Sequence, residues 1–215
     1  NDPFGQMSPE AVYDPTREYS LRLAKLCKDL GIRFIFASSC SVYGVGRDGL
    51  VTEETETFPQ TPYSANKLQI EGDLRSISDS TFSPVILRAA TAYGLSPRMR
   101  FDIVVNMLVG MAVTMGKIVL NSDGRAWRPL VHVEDMCKAI RMCIDLADAR
   151  GLPDALNVGD TSQNFQIIQV ADLVRDQVPG CEIEIMGAAH ASASADGAEL
   201  FRDSKIQDGV DTRTY

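Results

Sequence analysis

Three side chains that together could transfer a proton lie in two neighbouring segments of this chain. Tyr63 and Lys67 are four residues apart, so they share one face of a helix. An ammonium group beside a phenol favours the phenolate, and we expect it to lower the pKa of the tyrosine. Tyr63 could then act as a general acid or base near neutral pH, and Ser39 could share the proton. The same spacing also fits a buried tyrosine and a solvated lysine on an ordinary helix.

Two predicted elements must position these side chains. The apolar run that begins at Phe34 predicts a buried strand over residues 32–38, and it ends in three hydroxyl groups and a thiol. A helix is predicted over residues 62–77. Thr61 is a suitable N-cap for it, and Pro62 at its first position gives up a backbone donor that would have no partner there.

The rest of the chain alternates between helical and strand patterns. Further helices are predicted over residues 14–30, 102–115, from about 133 to 149, and 167–178, and further strands over 84–88, 117–121, 155–159 and 181–186. In the first of these helices, Asp14 is the predicted N-cap and Pro15 the first residue, and residues 1–13 are predicted to be irregular. Residues 187–200, rich in Ala, Ser and Gly, are predicted to be mobile. The alternation indicates an α/β fold with a parallel sheet.

Composition narrows the class of protein. The 215 residues suit one domain, or one domain with a small lobe. A net charge of −8 and a pI of about 4.8 argue against a nucleic-acid surface. No apolar run is long enough to cross a membrane. The five scattered cysteines indicate reduced thiols and a cytoplasmic protein, and their spacing to one another and to histidine predicts no metal site.

Several motifs occur in an order that carries more information than each does alone. The first strand continues into Ser38-Ser39-Cys40-Ser41-Val42-Tyr43-Gly44, and Pro62-Tyr63-x-x-x-Lys67 follows a loop later. Arg88-Ala-Ala-Thr91-Ala-Tyr93-Gly94 and Arg128-Pro-Leu-Val-His132-Val-Glu-Asp135 come further along the chain. Together they resemble the extended short-chain dehydrogenase/reductase family, specifically its NAD-dependent nucleotide-sugar epimerases and dehydratases.

The resemblance implies a Rossmann-like parallel sheet with a small C-terminal substrate-binding lobe. Residues 1–94 and 151–165 would belong to the dinucleotide-binding domain, and residues 95–150 and 166–215 to the substrate lobe. The family's Gly-x-x-Gly-x-x-Gly loop, which approaches a pyrophosphate at a helix N-terminus, does not occur before the first strand. Residues 210–215 resemble the start of a family strand. We therefore expect a chain that lacks the family's N-terminal glycine-rich part and its extreme C-terminus.

The resemblance also implies NAD (or NADP) as cofactor, a nucleotide sugar as substrate and a homodimer as the assembly. It further implies roles for particular residues. The catalytic residues would be Ser39, Tyr63 and Lys67; the cofactor-binding residues Ser38, Tyr63, Lys67 and Ala90; and the substrate-binding residues Thr91, Arg98 and Arg128. A guanidinium group suits a diphosphate, although Arg128 could also be a surface arginine over Trp127. We expect His132 to be structural.

The function implied is that of an NAD(P)-dependent nucleotide-sugar epimerase, 4-epimerase-like, with a transient keto-sugar and Tyr63 as the base. Dehydratases of the family carry Asp-Glu directly after the catalytic hydroxyl, whereas this chain has Cys40 and Ser41 there. Cys40 could be a weak acid or a packed thiol, and the family's asparagines are replaced by Thr16 and Thr91. A keto-sugar reductase, a dehydratase, and an inactive fragment or binding protein remain alternatives.

Overall fold

The fold is described from a computed structural model for residues 8–44, 51–146 and 148–186. The elements are α1 (Pro9–Asp29), β1 (Ile35–Ser39), a 3-10 turn (Cys40–Tyr43), α2 (Pro62–Ile77), β2 (Val85–Ala89), β3 (Thr91–Tyr93), α3 (Val104–Met115), β4 (Lys117–Leu120), β5 (Trp127–His132), α4 (Val133–Asp145), β6 (Leu156–Val158), a 3-10 turn (Thr161–Gln163), β7 (Asn164–Gln166), α5 (Ile167–Gln177) and β8 (Glu182–Ile185). The predicted α/β class is confirmed. The predictions for residues 1–7, 187–200 and 210–215 fall outside the described residues.

The first sheet has the strand order β1-β2-β6, and all of its pairings are parallel. Every residue of β2 is buried, as expected for a strand covered on both faces. Phe36 and Ile86 pack with Ala24 of α1 and Ile70 of α2 on one face. On the other face, residues of β2 pack against Cys143 of α4 and the loop that follows it.

Two smaller sheets complete the described part of the chain. One has the order β3-β5-β7, with β3 parallel and β7 antiparallel to β5. The other pairs β4 with β8 in parallel. A second hydrophobic core forms where α3 and α5 cover these strands; its most buried members are Leu108, Ala112, Ile118 and Ala171. The short strands β3 and β7 have no counterpart in the sequence-based prediction.

The start of α1 corrects one prediction. The helix begins at Pro9 rather than Pro15, so Pro15 lies inside it and Asp14 is not its N-cap. Ser8 and Pro9 offer an equally suitable start earlier in the chain. The added turns are stabilised by packing, because Tyr13 is buried and its carbonyl accepts a hydrogen bond from the buried Nδ2 of Asn66 at 3.0 Å.

The predicted start and end of α2 are confirmed at Pro62 and Ile77. Thr61 Oγ1 accepts the Ser64 backbone N–H at 3.1 Å, and Ser64 Oγ accepts the Thr61 N–H at 3.0 Å. This reciprocal pair satisfies two backbone donors at the helix start. The first turn, which carries Tyr63, is therefore anchored by local hydrogen bonds.

Over the part of the chain that the structure describes, no helix combines the length and the apolar character needed to cross a membrane. The five cysteines are free thiols: Cys27, Cys40, Cys137, Cys143 and Cys181.

Candidate active site

The carboxyl ends of the three parallel strands lie side by side. Ser39 is opposite Ala89, and Ala89 is opposite Val158. The Ala90 N–H extends this edge by donating to the Val158 carbonyl at 2.8 Å. Ligands of open α/β sheets bind at this edge, and the catalytic residues predicted from the sequence lie beside it.

A cavity of about 230 Å³ opens among these strand ends. Its wall includes Cys40, Arg88, Ala90 and Asn157. Ala90, a predicted cofactor-binding residue, is thus placed at a cavity. Ser39, Tyr63 and Lys67 are not among the residues that line it, so the predicted catalytic residues lie next to the cavity rather than in its wall.

Tyr63 and Ser39 are brought together by the packing of α2 on β1. Burial raises the pKa of the Tyr63 phenol above its ordinary value. The hydrogen bond with Ser39 and the positive charge of Arg100 act in the opposite direction, and the nearby Cys40 adds to the increase. The net shift is upward, so the prediction that Tyr63 has a lowered pKa is wrong for this structure. The physical reason is that loss of water around the half-buried phenol outweighs the effects of Ser39 and of the Arg100 charge.

Lys67 lies one helical turn further along the same face of α2. Its Nζ donates to the Ala37 carbonyl at 2.8 Å and lies 5.6 Å from the Tyr63 ring centroid and 4.9 Å from that of Phe36. Burial lowers the pKa of this ammonium group. No carboxylate of a described residue lies within 4 Å of it. Two of its three N–H donors are therefore free, among the described residues, to bind ligand hydroxyls.

The 3-10 turn after β1 holds the Ser39 hydroxyl in a defined place. Ser39 Oγ accepts the backbone N–H of Ser41 at 3.2 Å, which makes Ser39 the N-cap of the turn. Among the described residues, the Ser41 Oγ is a buried side-chain oxygen without a hydrogen-bond partner. Buried polar atoms are normally paired, so this orphaned hydroxyl is consistent with a ligand-binding edge.

Ser38 contacts a residue that the sequence analysis missed. The Ser38 side chain is buried, and its hydroxyl donates to a carboxylate oxygen of Glu71. Glu71 is also held by Arg88 and Arg75. The cofactor contact predicted for Ser38 stays a prediction, and the structure gives its hydroxyl an internal partner. The spacing of Glu71, four residues after Lys67, was a signal for its position on the same helix face.

The substrate-binding residues predicted from the sequence lie on different elements. Thr91 opens β3, opposite Leu130 of β5. Arg98 is exposed in the loop between β3 and α3. Arg128 lies in β5, and its Nη1 donates to the Trp127 carbonyl at 2.7 Å. Their roles stay predictions.

The loop that carries Arg98 is held at both ends by one buried side chain. Asn106 Oδ1 accepts the Gly94 N–H at 3.2 Å, and Asn106 Nδ2 donates to the Arg100 carbonyl at 2.9 Å. Arg100 is the arginine whose charge acts on the pKa of Tyr63. Sequence reasoning selected Arg98 and missed both Asn106 and Arg100. Arg100 comes near Tyr63, and Asn106 contacts the Arg100 backbone, only in the folded chain.

His132 has structural contacts, as expected. Its Nδ1 accepts the Glu134 N–H at 3.4 Å at the start of α4, and its ring packs edge-on against Tyr93 at 5.3 Å. Gly94 has a φ of 112°, and a Cβ there would lie 2.5 Å from His132 Nε2. Only glycine fits this contact without displacing the ring.

Comparison with known proteins agrees with this architecture. The model of a family described as the NAD dependent epimerase/dehydratase family matches residues 3–159. A Bacillus subtilis (strain 168) protein named uncharacterized UDP-glucose epimerase YtcB is 31% identical over 157 residues, which are 72% of this chain and 48% of that protein. A dTDP-glucose 4,6-dehydratase from Xanthomonas campestris pv. campestris (strain B100) is 29% identical over 171 residues, which are 78% of this chain and 47% of the dehydratase.

A solved structure shows the same fold. The structure of TunA, described as an NAD-dependent NDP-hexosamine 5,6-dehydratase involved in tunicamycin biosynthesis, matches with a TM-score of 0.74 at 23% identity and covers 87% of this chain and 60% of TunA. This likeness confirms the predicted Rossmann-like fold. The chain spans about half the length of the curated relatives it matches. Since the family model covers well over half of the 215 residues, the chain belongs to the NAD dependent epimerase/dehydratase family.

Proposed function

We propose that this chain carries the catalytic residues of an NAD(P)-dependent nucleotide-sugar epimerase that acts at C4 of the sugar through a transient keto-sugar. The observation that carries the proposal is the placement of the Tyr63 phenol beside Ser39, which lowers the pKa of that phenol, with the Lys67 ammonium one turn away on the same helix. Family membership and the epimerase among its relatives support the reaction class. Fold alone would not suffice, because related folds host many activities.

The residues present fit the nicotinamide–ribose part of NAD. The two free N–H donors of Lys67 suit a pair of ribose hydroxyls, and the orphaned Ser41 hydroxyl lies at the same edge. Tyr63, Lys67, Ser38 and Ala90 are the proposed cofactor-binding residues. When bound, NAD would supply hydride transfer to and from the sugar carbon.

The protein's own contribution is proton transfer and orientation. Ser39 accepts a hydrogen bond from the Ser41 backbone, so its hydroxyl is fixed between the turn and Tyr63. Tyr63, as phenolate, takes the proton of the sugar hydroxyl, directly or through Ser39. It returns the proton after the keto-sugar has rotated in the site to present its other face. Lys67 holds its position through the Ala37 carbonyl.

Thr91, Arg98 and Arg128 are proposed to hold the nucleotide sugar. A guanidinium group pairs with diphosphate oxygens in a bidentate geometry, which suits either arginine for the nucleotide end. Residues 1–94 and 151–165 are proposed to form the cofactor side, and residues 95–150 and 166–215 the substrate side.

The turn after Ser39 favours an epimerase over a dehydratase. The 3-10 turn consists of Cys40, Ser41, Val42 and Tyr43, and none of these side chains is a carboxylate. Cys40 is buried at 6% exposure and packs with Val42, Tyr43 and Val51, which fits a packed thiol. A keto-sugar reductase would use the same Tyr63 and Lys67, and it is distinguished by net consumption of NADH.

The experiment is a turnover assay with the purified chain, NAD and a panel of UDP- and dTDP-hexoses, with products separated by chromatography. We expect epimer formation without net NADH production. Tyr63→Phe should abolish turnover and leave NAD binding, measured by calorimetry, nearly unchanged. Undiminished turnover in Tyr63→Phe would overturn the mechanism. Absence of both turnover and NAD binding in the wild type would favour a non-catalytic binding role.

A further inference from the structure

Glu71 is a fully buried carboxylate that the proposed reaction does not use. Its side chain has 0% exposure, and it lies on α2 eight residues after Tyr63 and four after Lys67. The three side chains therefore share one face of the helix. A buried charge is costly unless it is paired and hydrogen-bonded, so the partners of Glu71 indicate what it holds in place.

The partners of Glu71 come from two strands of the first sheet. Arg88 of β2 donates from Nη2 to Glu71 Oε2 at 2.7 Å and from Nε to both carboxylate oxygens at 3.1 and 3.2 Å. Ser38 of β1 donates its hydroxyl to Oε1. On the outer side, Arg75 Nη2 donates to Oε2 at 2.9 Å. The carboxylate thus ties its own helix to the adjacent ends of β1 and β2.

These contacts continue the contacts of the catalytic residues. Along α2, Lys67 is hydrogen-bonded to the Ala37 carbonyl and Glu71 to the Ser38 hydroxyl, and Tyr63 lies close enough to Ser39 for that residue to act on its pKa. Two successive turns of the helix are therefore hydrogen-bonded to consecutive residues of β1, and the turn before them places Tyr63 beside the next residue, Ser39. Movement of Ser38 away from α2 would carry the adjacent Ser39 with it.

Arg88 extends the same network across the strand ends. Its Nη1 donates to the Tyr43 hydroxyl at 2.8 Å, and that hydroxyl donates to Asn157 Oδ1 of β6 at 2.7 Å. The Asn157 backbone N–H in turn donates to Glu53 Oε1 at 2.9 Å. The network therefore reaches the turn after Ser39 as well as the strand before it, so it limits movement of the Ser39 hydroxyl from both sides.

We propose that Glu71 is a positioning residue, which holds the end of β1 against α2 so that the Ser39 hydroxyl stays within hydrogen-bonding reach of Tyr63. Two arginines neutralise its charge, so Glu71 acts on Tyr63 through geometry. The effect on turnover rests on the proposed function, whereas the effect on the Ser39–Tyr63 contact does not. A purely structural ion pair would stabilise the fold without changing that contact.

The test is a titration of the Tyr63 phenol in the purified chain without cofactor or substrate. Tyrosine labelled with ¹³C at Cζ reports each phenol by NMR, and Tyr63→Phe assigns the resonance. Loss of the Ser39 hydrogen bond removes an interaction that lowers the pKa of Tyr63. We therefore expect Ser38→Ala and Glu71→Gln to raise that pKa, by up to about one unit.

The matched control is Arg75→Gln, which removes a Glu71 partner on the side away from the strands. We expect it to leave the Tyr63 titration unchanged. If Glu71→Gln does not fold, Ser38→Ala decides, because it keeps the Glu71–Arg88 pair. An unchanged Tyr63 pKa in Ser38→Ala, and in Glu71→Gln where it folds, would overturn the proposal and leave a structural role only.

Turnover gives the second readout. In Glu71→Gln, kcat should fall about 10- to 100-fold with little change in KM, as expected when catalytic groups are misaligned. If the wild-type chain turns over no nucleotide sugar, the proposed function fails, while the NMR titration still decides whether Glu71 positions Ser39.

Discussion

Lys67 donates from Nζ to the carbonyl oxygen of Ala37 at 2.8 Å, across the interface between α2 and β1. The bond joins a predicted catalytic lysine to the strand that ends in the predicted catalytic Ser39. It directs the ammonium group toward the strand rather than the phenol of Tyr63, whose ring centroid is 5.6 Å away. The lysine is therefore better suited to hold a ligand at the strand edge than to ionise Tyr63 by itself.

The first prediction concerns pH. Burial raises the pKa of Tyr63 above its ordinary value, so the phenol is protonated at neutral pH. If the phenolate is the base, kcat/KM should rise by about tenfold per pH unit from neutral into alkaline pH, because the fraction of phenolate rises in that proportion. It should level off above the pKa of Tyr63. A pH profile of kcat/KM measures this. Ser39→Ala should move the rise to still higher pH, because the Ser39 hydrogen bond lowers the pKa. A flat or falling profile would contradict the assignment of Tyr63 as base.

The second prediction concerns Lys67→Met, which keeps the apolar stem and removes the ammonium group. We expect NAD affinity to fall about 10- to 100-fold, since hydrogen bonds from a charged donor contribute about 1.5–3 kcal/mol. Calorimetric titration with NAD measures the change. The matched control is Lys25→Met, at an exposed position of α1, which should bind NAD as the wild type does. Equal affinity in both variants would remove Lys67 from the cofactor site.

The third prediction concerns the Glu71–Arg88 pair, in which both side chains are at least 96% buried. Glu71→Ala leaves Arg88 buried without its carboxylate and should lower the free energy of unfolding by about 3–5 kcal/mol. Arg75→Ala removes a side chain that is one-third exposed, and it should cost under about 1 kcal/mol. Urea unfolding measures both. Similar small losses in the two variants would show that the buried pair contributes little.

The Glu71–Arg88 pair also predicts that the free energy of unfolding decreases at acid pH. Burial would raise the pKa of Glu71, but hydrogen bonds from Arg88 and Ser38 and the charges of Arg88 and Arg75 outweigh it, and the net pKa is below the ordinary value. The stabilisation is therefore complete above the unfolded-state pKa of about 4.3 and is lost as pH falls through the lower folded-state value. Unfolding free energy measured from pH 7 downward should show this loss in the wild type and a smaller one in Glu71→Gln.

The fourth prediction concerns assembly. The homodimer implied by the family resemblance stays a prediction, and α1 presents an apolar stripe that suits it. Tyr19, Leu23 and Leu26 of α1 and Leu30, the C-cap residue that follows it, are spaced at intervals of four, three and four residues, with exposures of 67%, 37%, 52% and 62%. Such spacing forms the seam between packed helices. We expect a dimer by sedimentation velocity and a monomer for Leu26→Arg.

Its matched control is Leu173→Arg, at a leucine that is 55% exposed on α5, which should remain dimeric. A monomeric wild type, or a dimer unaffected by Leu26→Arg, would contradict a dimer interface on α1.

Local sequence was sufficient to predict much of the helix that carries the candidate site. Thr61 and Pro62 specify the start of α2 through capping and a fixed φ, and a spacing of four places Tyr63 and Lys67 on one face. These effects act within a few residues, so they can be read before any packing is known. The family resemblance, carried by the order of the motifs, was confirmed for the same reason: it depends on residue identity and spacing.

Other features depended on the packing of distant segments. Pro15 was expected to start α1, but burial of Tyr13 against Asn66 extends the helix back to Pro9. The pKa of Tyr63 rises rather than falls because burial of the phenol outweighs the effects of Ser39 and Arg100. Water exclusion is a property of the folded surface, and no local spacing contains it.

Glu71 shows most clearly which features follow from the local sequence and which require the folded chain. Its position on the Tyr63 face of α2 follows from the sequence by helical periodicity alone. Its burial and its partners Ser38 and Arg88, which lie 33 and 17 residues away in the chain, arise only when β1 and β2 pair beneath the helix. The sequence by itself determined which chemical groups share a helix face. The tertiary structure decided which of them lost water and found a partner, because desolvation and long-range pairing require the assembled sheet.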